Sequence, residues 1–139
     1  EAGGQLEADV LETADPYQPL EAGGWNTHQV IAHMRDVNRE VYLPRLRRIV
    51  AETSPVFENF DGEAWMATHY QALEPILDIV TGFAEQCRLS ADWLANLPAE
   101  AWNRPGSHPL IGKHTLQWWV ERTLVHITEH LAQLEPKGD

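Results

Sequence analysis

The chain has 139 residues, 43% hydrophobic and 22% charged, the balance of one globular domain spanning 1–139 with enough apolar side chains for a single core. A formal net charge of −11 argues against nucleic acid and against an anionic membrane surface as partners, because both require a basic face. The one cysteine, Cys87, rules out an intrachain disulfide, no stretch approaches the roughly 20 apolar residues of a membrane span, and no signal-peptide pattern stands out, so the cytoplasm is the expected location.

Near the N-terminus, Leu6, Val10 and Leu11 fit a short amphipathic helix ended by Asp15-Pro16, with a loop over 15–24. Asn26 followed by Gln29 is a capping-box pattern that opens a long helix. Val30, His33, Val37 and Val41 mark its inward face, and it should run to about residue 51 with a kink at Pro44. Arg45, Arg47 and Arg48 on this helix read as a solvated basic face. A linker over 53–62 and a helical turn over 64–70 follow. A second long helix starts near Pro75, with the apolar series Leu73, Ile76, Leu77, Val80, Phe83, Cys87, Ala91 and Leu94.

Residues 98–113 hold three prolines and two glycines and read as a loop with one turn over 99–102. Thr115 is a candidate N-cap for the last helix, whose stripe is Leu116, Val120, Leu124, Ile127, Leu131 and Leu134. No alternating strand pattern appears. Three long helices and a shorter one predict an all-α four-helix bundle, its long loops implying a crossover connection.

The last helix carries His126 and His130, four residues apart, so both imidazoles leave one side of it. Chance alone gives about 0.35 such pairs at this histidine content, so the pair needs support. His33, between Val30 and Val37, supplies it. One histidine from the first long helix and a pair from the last make a three-nitrogen cap with open coordination positions, as catalytic sites have. His-x-x-Glu-His over 126–130 also spells a protease signature, but that needs a further carboxylate ligand well downstream and only nine residues follow His130. No histidine has a glutamate three positions before it, which excludes a ferritin-like di-iron site. His28, His69, His108 and His114 read as surface histidines. Arg122, one turn before His126, is a candidate for holding an anionic substrate or thiol, with a salt bridge as the commoner use of such a residue. Trp25, Trp65, Trp118 and Trp119 read as core packing.

Trp25-Asn26 with His33-Met34 resembles the Trp-Ser-x-x-x-x-x-x-His-Leu start of the DinB-like, YfiT-like (bacillithiol-transferase-like) superfamily of metal-binding four-helix bundles. Gly112-Lys113-His114-Thr115-Leu116 and His126 to Gln133 are similar to its Gly-x-x-Thr-Leu and His-x-x-x-His-Leu-x-Gln stretches. The resemblance implies His33, His126 and His130 as ligands of a divalent metal, zinc first and nickel second. It further implies a crossover bundle and a homodimer. Its members include thiol-dependent S-transferases and are commonly described as hydrolases. The expected function is thus a metal-dependent thiol S-transferase or hydrolase acting on a small molecule, with a low-molecular-weight thiol as a further cofactor. The alternative is a non-catalytic metal or small-ligand binding protein. A general base near the metal would separate the two, and Asp36 and Glu40 are the sequence neighbours to test for that role.

Overall fold

In the computed structural model, residues 15–21 and 24–135 are described, so the expected helix at Leu6, Val10 and Leu11 lies outside them. The first long helix opens as α1, Thr27–Val37, through the expected capping box. Asn26 Oδ1 accepts from the Gln29 N–H at 2.7 Å and Gln29 Oε1 from the Asn26 N–H at 2.9 Å, which satisfies two end donors.

At Pro44 the sequence predicts a kink, and the structure has a π-helical segment instead, Asn38–Tyr42, leading into α2, Leu43–Ala51. The Leu43 N–H bonds five residues back, to the Asn38 carbonyl. Proline has no N–H and its ring collides with the carbonyl one turn earlier; a wider turn just ahead of it relieves both problems. The wide turn also rotates everything after it. Twelve residues of unbroken α-helix would place Arg45 about 120° around from His33. One extra residue in a turn sets it back by about 100°, onto the side that His33 faces.

α3, Gly62–His69, is capped by Asp61, whose Oδ1 accepts the Glu63 and Ala64 N–H groups, both at 3.1 Å. α4, Ile76–Ala95, begins directly after Pro75. α5, Leu116–Leu134, begins at its expected cap, with Thr115 Oγ1 accepting from the Trp118 N–H. Among the described residues no helix is long and apolar enough to cross a membrane.

The stretch read as a loop over 98–113 is more ordered than the sequence suggests. It holds a 3₁₀ helix, Ala99–Asn103, and an antiparallel hairpin of β1, Pro105–His108, and β2, Gly112–Thr115. Its backbone is anchored from outside: Phe57 N–H donates to Ser107 O at 2.7 Å, Ser107 N–H to Pro55 O at 3.0 Å, and Trp119 Nε1 to Gly106 O at 3.0 Å. A Cβ at Gly106 would lie 2.8 Å from both Ile49 and Phe57 side-chain atoms, so this close docking requires glycine.

Two apolar clusters hold the bundle. Val30, Ile31 and Met34 of α1 pack with Ile79, Val80 and Phe83 of α4 and with Ile127 and Leu134 of α5. Leu46 and Ile49 of α2 pack with Phe57, Ala101, Leu116 and Trp119. Each such fully buried side chain contributes on the order of 2 kcal/mol. The expected stripes need correction. Leu124 of α5 is exposed, and Trp119 and Thr123 are buried in its place; Leu73, Leu77 and Ala91 are exposed, and Ile79 joins the core. The bulk of Trp119 between the hairpin and α2 rolls α5 toward its aromatic side.

Candidate metal centre

α1 presents His33 to α5, which presents His126 and His130. One ring nitrogen from each lies within 4.8 Å of the others. The ring centroids are 5.6 Å apart for His33 and His126, 5.0 Å for His33 and His130, and 4.5 Å for His126 and His130. The Nε2 atoms of His126 and His130 are 3.1 Å apart. Two imidazole nitrogens bound to one ion at about 2.0–2.1 Å, at tetrahedral or octahedral angles, stand about 3 Å apart, so the spacing fits shared coordination. Gln133 Oε1 lies 3.0 Å from His130 Nδ1. That oxygen only accepts, so Nδ1 carries the hydrogen and Nε2 keeps its lone pair for the cluster. His33 Nδ1 is buried with no hydrogen-bond partner. A polar nitrogen left so is costly unless something else binds there. Trp25 packs on the His33 ring with centroids 4.9 Å apart, and a Cβ at Gly62 would come within 3.0 Å of His33 Cε1, so the imidazole is confined on both sides. An all-nitrogen donor set suits borderline ions such as zinc and nickel.

The electrostatics agree with this donor set. Burial, reinforced by His130, pushes the His33 pKa down to about 4, with Asp36 opposing. Burial, then His130, His33 and Arg122, push His126 down to about 3. Both imidazoles are therefore neutral at pH 7, the form that offers lone pairs to a cation.

A DinB superfamily model matches residues 6–134. The chain belongs to the DinB superfamily. The bundle of this DinB chain superposes on YfiT of Bacillus subtilis, described as a probable metal-dependent hydrolase with an unusual four-helix bundle topology, with a TM-score of 0.78 over 96% of this chain and 79% of that one, at 23% identity. It is also 27% identical over 113 residues to OB0782 of Oceanobacillus iheyensis, to which metal-dependent hydrolase activity is ascribed. That match takes in 77% of this chain and 65% of the relative, so the chain spans just under two thirds of the relative's length.

Beside the histidines of this DinB chain lies a cavity of about 330 Å³, whose wall includes His33, His126, Tyr42, Arg45, His108 and Arg122. Arg122 reaches it as expected. Among the described residues it forms no salt bridge, and its guanidinium sits 5.7 Å from the Trp118 ring centroid. Arg45, read as solvated, is buried instead, and its Nη2 donates to the Glu58 carbonyl at 2.9 Å. His28 and His108, read as surface residues, are both buried. His108 is fixed by the hairpin: its Nδ1 accepts the Leu110 and Ile111 N–H groups at 3.0 and 3.2 Å, which leaves the hydrogen on Nε2. Tyr42 lies 5.0 Å from His126 between ring centroids, and burial raises its hydroxyl pKa. Tyr42 and Arg45 stand on or just after the π segment, and Pro44 was their sequence signal. Neither candidate base lines the cavity. Asp36 is engaged by Arg35, Arg39 and the Trp65 indole N–H, and Glu40 is exposed and paired with Arg39.

Proposed function

We propose that this chain is a divalent-metal-dependent enzyme acting on a small molecule, with His33, His126 and His130 holding the ion and zinc, ahead of nickel, as that ion. The observation that carries the reading is the three-histidine group with its stranded His33 Nδ1, opening onto a cavity large enough for a small substrate. A divalent ion held there is a Lewis acid that lowers the pKa of a neighbouring thiol or water.

The wall of the cavity favours thiol transfer over hydrolysis. No carboxylate among the described residues lines it, so a general base of the usual kind is missing. A thiol, ionising near pH 8.5 unaided, needs such a base far less than water does. The chain's own Cys87 is not that thiol: it packs against the first core cluster, and burial pushes its pKa up to about 11. Tyr42, neutral at pH 7, is placed to donate a hydrogen bond or proton to a leaving group. In the overall reaction the thiol gives up its proton, a carbon–sulfur bond forms, and the leaving group departs with the bonding pair.

The test is to load the purified protein with zinc and compare conjugation of cysteine to an electrophile such as 1-chloro-2,4-dinitrobenzene with hydrolysis of 4-nitrophenyl acetate. Zinc-dependent conjugation lost in His126→Ala supports the proposal. Faster hydrolysis than conjugation would move the assignment to a hydrolase, and tight zinc binding without either activity would return the non-catalytic reading.

A further inference from the structure

The cavity wall has a charge opposite to that of the molecule. The chain carries a formal net charge of −11, yet the charged side chains lining this cavity are Arg45 and Arg122, with no carboxylate among the described residues beside them. Neither arginine has a carboxylate within salt-bridge distance among those residues, whereas Arg35, Arg39, Arg48 and Arg88 all do. Arg45 is only 9% exposed. Its neighbours are the Phe57 and Trp119 rings, at 5.4 and 5.9 Å, and one backbone carbonyl. A buried guanidinium with aromatic and carbonyl contacts but no counter-ion is under-compensated.

The remaining polar groups on this wall are donors as well. His108 directs its proton-bearing Nε2 away from the two hairpin amides that occupy Nδ1. Tyr42 contributes a neutral hydroxyl. The four groups feel one another: Arg122 and Arg45 both act on His108 and on Tyr42, and Arg122 acts on Arg45. Glu129 acts on Tyr42 from outside the cavity lining. Val37, Val41, Phe60 and Ile111 supply apolar wall between these donors.

We infer that Arg45 and Arg122 form an anion subsite, completed by His108 and Tyr42, that holds a carboxylate or phosphate group of a small molecule with an apolar body beside the three histidines. Two arginines from different helices offer planar donor pairs to such an oxyanion, and each charge-assisted pair is stronger than a neutral hydrogen bond. The π segment is what brings Arg45 to this wall. The inference rests on the proposed function only for what the bound molecule does next, and its test does not require metal.

The experiment titrates 3-phenylpropionate, phenyl phosphate and the neutral 3-phenylpropionamide into the isotopically labelled protein, as purified and after chelation, and follows amide shifts by two-dimensional NMR. The expected result is binding of at least one anion that shifts residues around Tyr42 and His108, with the amide at least about tenfold weaker, in both preparations. Which anion binds better tells carboxylate from phosphate. Arg122→Met, a substitution at an exposed side chain, should weaken the anion about tenfold and leave the amide unchanged. Arg45→Met should do the same if it keeps the native fold by circular dichroism. Equal affinity for anion and amide, anion binding untouched by Arg122→Met, or shifts confined to other surfaces would overturn the subsite. Binding only in the metal-containing preparation would assign the anion to the metal and also overturn it. Loss of metal binding with the subsite intact would instead count against the proposed function alone.

Discussion

Two histidines on α1, five residues apart, make different use of burial. His28 is fully buried and both ring nitrogens are bonded: Nε2 donates to the Glu74 carbonyl at 2.7 Å and Nδ1 pairs with the Tyr70 hydroxyl at 2.6 Å. Stacked also on Tyr17, it clamps the segment between α3 and α4 onto α1. His33 is less buried, yet its Nδ1 is the stranded one. Burial alone therefore does not separate a structural histidine from a functional one. Whether each nitrogen has a partner does, because folding tolerates a buried polar group that is satisfied and penalises one that is not.

That comparison can be broken at either residue. His28→Leu should give the largest loss of stability, about 2–4 kcal/mol by urea unfolding, because it leaves the Glu74 carbonyl and the Tyr70 hydroxyl without their partner; metal stoichiometry should not change. Next comes pH. His33 and His126 have folded pKa values below the ordinary 6.5, so between about pH 6.5 and pH 4 the unfolded chain binds more protons than the folded one. Metal-free protein should lose stability progressively over that window, as read by thermal unfolding, and should show no such loss between pH 7 and pH 8 from these groups. The smallest effect is expected at His33→Leu, which replaces the stranded nitrogen by carbon of similar bulk. Metal-free protein should then be unchanged or more stable by about 1 kcal/mol, the opposite of His28→Leu. A loss comparable to that of His28→Leu would mean that His33 is a structural residue after all.

Much of the helical frame was legible. The capping box at Asn26 and Gln29, the cap at Thr115 and the start after Pro75 all rest on local chemistry, and all stand where that chemistry puts them. The coming together of His33, His126 and His130 followed from helix periodicity plus one assumption, that α1 faces α5. What escaped was set by tertiary contacts. The hairpin strands are four residues each and rich in proline and glycine, so they show no alternation; their partners are Val56, Phe57 and Trp119, far away in the sequence. Arg45 was misplaced because an unbroken α-helix was assumed across Pro44, and one additional residue per turn reverses the face. His28 and His108 were misjudged because their partners, Tyr70, Glu74 and the 110–111 amides, become neighbours only after folding or through a turn that was not expected.

The most direct test of the account is a zinc titration by calorimetry at pH 7 on chelated wild-type protein, His33→Ala and His28→Ala. The account requires about one zinc per chain for wild type, the same stoichiometry for folded His28→Ala, and at least a hundredfold loss of affinity for His33→Ala. No saturable zinc binding by the wild type, or equal binding by His33→Ala, would contradict it.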